Sequence, residues 1–156
     1  ASQGYLEADL NRFKVEATAE CCRRIHGELE VAPVTGRFRR SLAVGDAVFC
    51  CVDRIETRQL IWNAVRDRIR FFVDGRMSAE VLRVLTACDE AGRRHYPSTL
   101  FAAAEAYAGP CTAKSTIYCA NVAAGLMLSQ FAKWLRGLPV EADVSLNLLT
   151  AEWTVA

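Results

Sequence analysis

Cys-x-x-Cys is missing from a sequence that holds seven cysteines. That spacing builds structural zinc sites and thioredoxin-type redox centres, so neither is expected, and no zinc is predicted. Two histidines and no Gly-x-Ser-x-Gly elbow leave little material for a catalytic triad. An excess of one charge is also lacking: nineteen Lys and Arg against eighteen Asp and Glu give a formal net charge of +1. A domain that neutralises a phosphate backbone carries far more, so nucleic acid is not an expected partner. No apolar run reaches membrane-spanning length; the best, Ile117–Leu128, contains Asn121 and is closed by Ser129 and Gln130. The chain opens Ala-Ser-Gln-Gly, with no Met, cleavable apolar segment or basic targeting run. That predicts a fragment or processed product whose natural start lies elsewhere.

What is present is apolar. A composition of 52% hydrophobic and 24% charged residues over 156 positions supports one well-buried core. It excludes a disordered tail or a disulfide-stapled miniprotein. The cysteines fit the same picture. Cys21-Cys22 and Cys50-Cys51 are neighbours, and most of the seven lie inside apolar runs. An odd number without a signal peptide suits a reducing cytoplasm, where cysteine serves as a small hydrophobe. The expectation is a soluble, cytoplasmic, single domain over residues 1–156, without a membrane partner.

Helical spacing of Val15, Ala19, Cys22 and Ile25 predicts a helix from Lys14 to His26, stopped at Gly27 by a residue that tolerates positive φ. Leu29 to Gly36 reads as a short extended stretch, an edge strand at best because of Pro33. Ala47–Val52 is an almost unbroken apolar run and Ile69–Val73 a second buried run, the mark of strands buried on both faces of a parallel sheet. An amphipathic helix through Ile55, Leu60, Ile61, Ala64 and Val65 separates them. Val81–Thr86 reads as a further strand, Asp89–Pro97 as a polar loop, and Val144–Val155 as closing strand. Ser115–Leu135 is a long helix in which Ala120, Ala123, Ala124 and Gly125 would admit a second backbone. Helix and strand in alternation predict a doubly wound, Rossmann-like α/β sheet, mostly parallel with antiparallel C-terminal strands.

Ligands in such sheets bind beyond the carboxyl ends of the strands. Two residues fall there on this reading, Asp53 and Asp74. A carboxylate between a buried strand and a helix can hold Mg²⁺ or face a nucleotide. Asp53 followed by Glu56 also has capping-box spacing, so a plain helix cap is the alternative. Lys14 opposes the helix dipole at a helix start, which suits a nearby phosphate or a solvated side chain.

In their order, these residues resemble the E1-like adenylyltransferases, the group of the ThiF, MoeB and HesA proteins and the ubiquitin-activating enzymes. The resemblance is carried by Asp9-Leu10-Asn11-Arg12-Phe13-Lys14-Val15-Glu16-Ala17 and by Cys51-Val52-Asp53 with Ile55-Glu56-Thr57-Arg58. It continues through Phe72-Val73-Asp74-Gly75, Gly109-Pro110-Cys111-Thr112 and Ala120–Gly125, and so covers almost the whole chain. It implies that Lys14 contacts ATP phosphates, that Asp53 binds Mg²⁺ at the adenylate, and that Gln3 ends an Asn-x-x-Arg-Gln segment at the nucleotide. Cys111 falls where some members carry a thiol that accepts the activated carrier. Asn11 stands in place of a usual Gly, and it too tolerates positive φ. The family's Gly-rich phosphate loop belongs to a strand–helix–strand unit that would precede Ala1, so the domain is expected to be N-terminally truncated and to bind ATP weakly by itself.

The implied activity is ATP-dependent adenylation of the C-terminal carboxylate of a ubiquitin-like or sulfur-carrier protein, followed by thioester transfer to Cys111. The alternative is a non-catalytic E1-like scaffold or partner subunit. A homodimer is expected, because the missing unit would leave a sheet edge and an apolar helix face uncovered. Cys111 follows the turn-forming pair Gly109-Pro110, precedes the long helix, and has Lys114 three residues on. A helix N-terminus and a neighbouring cation favour a thiolate, whereas burial makes a thiol inert. The other role for Cys111 is packing at the helix start. Alkylation of the folded protein near neutral pH, with sites read by mass spectrometry, should modify Cys111 faster than Cys50 or Cys119; equal rates would remove thiol chemistry from the assignment.

Overall fold

The computed structural model describes residues 4–101 and 116–156. It divides into two compact units, one over Gln3–Arg39 and one over Arg40–Ala156. In the first, a short 3-10 turn at Glu7–Asp9 precedes helix α1, Lys14–Ile25. Asn11 does adopt a left-handed φ of 66° between them. The helix ends at His26, which is extended with φ −142°, so its stop does not use a left-handed Gly27. The stretch from Leu29 to Gly36 forms no strand, having no ladder partner among the described residues.

The second unit is an α/β fold around a five-stranded mixed sheet of order β1-β2-β3-β4-β5. The strands are β1 (Ala47–Cys50), β2 (Phe71–Ser78), β3 (Val81–Ala87), β4 (Asp143–Asn147) and β5 (Glu152–Val155). Helix α2 (Ile55–Val65) links β1 to β2 and makes that pair parallel. The other three neighbouring pairs are antiparallel. Antiparallel pairing therefore begins at β2, well before the C-terminal strands. The physical reason is the two-residue turn at Ala79 and Glu80, with Ala79 at φ 52°: two residues can reverse a chain but cannot carry it across a sheet.

Three further expectations change. Ala47–Val52 was expected in the sheet interior, yet β1 pairs only with β2 among the described residues, and Phe49 is 40% exposed. The residues predicted to end β2, Asp74-Gly75-Arg76, lie within that strand, so Asp74 is fully buried rather than presented at its tip. The supposed polar loop is helix α3, Glu90–Ser98. Its N-cap is Asp89, whose Oδ1 accepts from the Gly92 amide at 2.8 Å; Gly92 and Pro97 mask the helix in the sequence.

Alternation along β2 gives the sheet two different faces. Phe71 and Val73, with Leu82 and Val84 of β3, meet helix α4 (Ile117–Leu135) through Cys119, Ala123 and Met127. Phe72 on the opposite face packs with Trp62 of α2 and Tyr96 of α3. Layers of helix, sheet and helices result. Ala123 is the small α4 residue that meets the sheet, while Ala124 and Gly125 face outward. No helix among the described residues is long and apolar enough to cross a membrane.

Two glycines separate packing from propensity. A Cβ at Gly92 would lie 2.5 Å from the Thr86 carbonyl oxygen, whereas one on Gly125 meets nothing within 4 Å. In urea denaturation, Gly92→Ala should cost about 1–3 kcal/mol, and Gly125→Ala should add about 0.5–1 kcal/mol.

Candidate functional site

A solvent-open cleft of about 340 Å³ lies where β1 passes into α2, beside the distal part of β2. Asp53, Arg54 and Glu56 contribute from the β1–α2 connection, Arg58 from the first turns of α2, Arg76 and Met77 from β2, and Phe101 from beyond α3. The parallel arrangement of β1 and β2 brings Asp53 to the carboxyl end of β1, as the sequence predicts. Its expected alternative as a helix cap is not realised. The N-cap of α2 is Arg54, and no side chain caps the helix. Asp53 is exposed and makes no hydrogen bond or ion pair among the described residues.

Beneath the cleft lies a charged network built from strand periodicity. Asp74 and Arg76 are two apart on β2 and so share one face. The Arg76 Nε donates to Asp74 Oδ2 at 2.9 Å, its Nη1 to the Thr99 carbonyl at 2.8 Å, and its Nη2 to Thr99 Oγ1 at 3.0 Å. Its guanidinium also lies 5.6 Å from the Tyr96 ring centre. The Tyr96 hydroxyl donates to Asp74 Oδ2 at 2.9 Å, and the Arg58 guanidinium meets Asp74 Oδ1. Burial lowers the pKa of both guanidiniums from their ordinary value and pushes the Tyr96 phenol up to about 12. Sequence reading marks Arg58 but misses Arg76, Tyr96 and Thr99. The available signal was the Asp-x-Arg spacing, which on a strand puts opposite charges side by side.

A second ion cluster joins α3 to the sheet. Asp143 accepts from Arg83 Nε at 2.8 Å and pairs with His95 Nε2 at 2.8 Å. Burial alone would raise this carboxyl, but the hydrogen bonds from Arg83 and His95 outweigh it and hold the pKa below the ordinary value. His95 is thus a linking residue between α3 and β4, through its pair with Asp143.

Of the remaining sequence candidates, Lys14 is exposed at the first position of α1, in the other unit. Gln3 and Cys111 lie outside the described residues. Among the described residues, no group of three or more His, Cys, Asp or Glu is placed to hold a metal ion. An exposed, uncommitted carboxylate such as Asp53 still fits Mg²⁺, which takes one or two carboxylates and fills its shell with water and phosphate oxygens.

No protein-family model matches the sequence, and a search of the curated proteins gave no match. Among solved structures, the chain is similar to the crystal structure of selenomethionyl PaaA, with a TM-score of 0.68 and 12% identity. The likeness is one of fold. It covers 97% of this chain and 57% of that one, so this chain spans little more than half the length of the structure it matches.

The raised Tyr96 pKa carries a pH signature. Below the ordinary tyrosine value of 10, folded and unfolded chains both keep the phenol proton. Between 10 and about 12 the unfolded chain releases it while the folded chain does not, so stability falls as pH rises through that window. Tyr96→Phe should lose about 1.5–3 kcal/mol near neutral pH by removing a hydrogen bond to a charged group. It should also lose less stability than the parent between pH 10 and about 12, read by urea denaturation across that range.

Proposed function

We propose that this chain takes part in ATP-dependent adenylation of the C-terminal carboxylate of a ubiquitin-like or sulfur-carrier protein. The observation that carries the reading is Asp53: an exposed carboxylate with no cap to serve, at the carboxyl end of a parallel strand and on the wall of a cleft. The ordered motifs of the sequence, which resemble those of the E1-like group, are the second support. In the reaction, a carboxylate oxygen attacks the α-phosphorus of ATP, the acyl-adenylate forms, and pyrophosphate leaves. Such a step needs positioning and charge neutralisation more than covalent help.

Asp53 is the residue that would hold Mg²⁺, and the ion when bound would neutralise charge on the phosphates. The resemblance also assigns phosphate contact to Lys14 and nucleotide binding to Gln3. Cys111 accepts the acyl group from the adenylate as a thioester, with AMP leaving. A homodimer and a cytoplasmic setting complete the proposal. The test is carrier-dependent exchange of labelled pyrophosphate into ATP by the natural full-length protein. Asp53→Ala should lower exchange by about a hundredfold or more without altering the unfolding midpoint. Background exchange in the parent protein would instead support the non-catalytic scaffold.

A further inference from the structure

The network beneath the cleft holds one carboxylate for two guanidiniums. Asp74 is 0% exposed, Arg58 is 6% exposed, and the Arg76 side chain 14%. Asp74 neutralises one positive charge and leaves one surplus where water has little access. A desolvated cation without a counter-charge is strongly penalised, so the position favours an anion. The surplus opens toward the cleft, since both arginines line it. Arg76 is held by Asp74 and Thr99, while Arg58 Nε and Nη2 make no hydrogen bond among the described residues. Asp53 and Glu56 do not supply the missing charge: neither forms an ion pair with these arginines among the described residues, and both are exposed to water.

We propose that the cleft floor is a carboxylate-binding site, in which Arg58 and Arg76 receive the carboxylate of a peptide substrate. The inference deepens the adenylation reading and rests on it for the role given to that carboxylate. A single surplus charge matches a monoanion. A phosphate dianion would overmatch the floor and meet two further carboxylates, Asp53 and Glu56, on the walls. Met77 and Phe101 give the cleft apolar wall for the chain that carries the carboxylate. The rigid fork of an anchored guanidinium suits planar carboxylate recognition. Arg58 and Arg76 are thus substrate-binding residues, and Tyr96 and Thr99 position Arg76.

The experiment titrates this chain with 3-phenylpropionate and, separately, with inorganic phosphate, following arginine Nε–H signals by NMR. Phenylpropionate should shift the Arg58 and Arg76 signals to saturation, and Arg76→Gln should weaken binding tenfold or more. Met77 is 42% exposed, so Met77→Glu adds a competing charge at the rim without touching Asp74. It should weaken binding by a similar factor, and it keeps the test decisive if Arg76→Gln fails to fold. Absence of saturable shifts, tighter binding of phosphate at the same signals, or unchanged binding by Met77→Glu would each overturn the site. Pyrophosphate exchange without phenylpropionate binding removes this site and leaves adenylation standing. Binding without exchange does the reverse.

Discussion

Asp74 carries its charge in the middle of a strand, where none of its surface meets water. A carboxylate in that position is tolerated only with donors on every side. Arg58 supplies one from α2, Arg76 one from the same strand, and Tyr96 one from α3. The requirement ties three elements to one atom pair, and it does so on the face of the sheet that α4 leaves free. Trp62 and Phe72 enclose the Tyr96 ring, with centroids 4.8 and 5.0 Å away, so the polar centre sits in an aromatic frame that keeps its local dielectric low.

From that constraint follows the character of the cleft. Arg76 is the last inward-facing charge of β2 before the strand meets solvent at Met77. Its three hydrogen bonds leave it little rotamer freedom, so the cleft floor is preorganised, while the Asp53 rim is solvated and free. Helix α2 adds to the asymmetry. It begins at the cleft with Arg54 at its N-cap and no side-chain cap, and Glu56 in its first turn is the acidic residue that faces its positive end. The cleft thus combines a hydrogen-bonded, cationic floor with an exposed, anionic rim.

Much of this fold is legible in the sequence because period and length carry it. The run from Ala47, the amphipathic α2 and the long α4 are where their patterns place them, and the run Ile69–Val73 marks only the first half of β2. The parallel β1–β2 pair follows from the helix between those runs. The reversal from β2 into β3 was not legible, because Ser78-Ala79-Glu80-Val81 has none of the Gly or Asn that mark a tight turn. Helix α3 was hidden by a Gly, a Pro and a run of charges, its one start signal being Asp89. Asp53 was found for a local reason, its place between strand and helix. The Asp74 network was missed for the opposite reason: Tyr96 and Thr99 join it only through the tertiary packing of α3, which no local pattern announces.

The order of the sheet also has a kinetic meaning. Neighbouring strands are consecutive in the chain, so β2–β3 and β4–β5 close as hairpins and β1–β2 closes across a single helix. Among the described strands, only the β3–β4 ladder joins segments far apart in the chain, with Cys88 to Ala142 between them. Local ladders form early because little chain entropy is lost in closing them, and the distant one comes late. That ladder brings Asp143 at the start of β4 to Arg83 of β3 and His95 of α3, so one carboxylate ties the distant strand to two earlier elements.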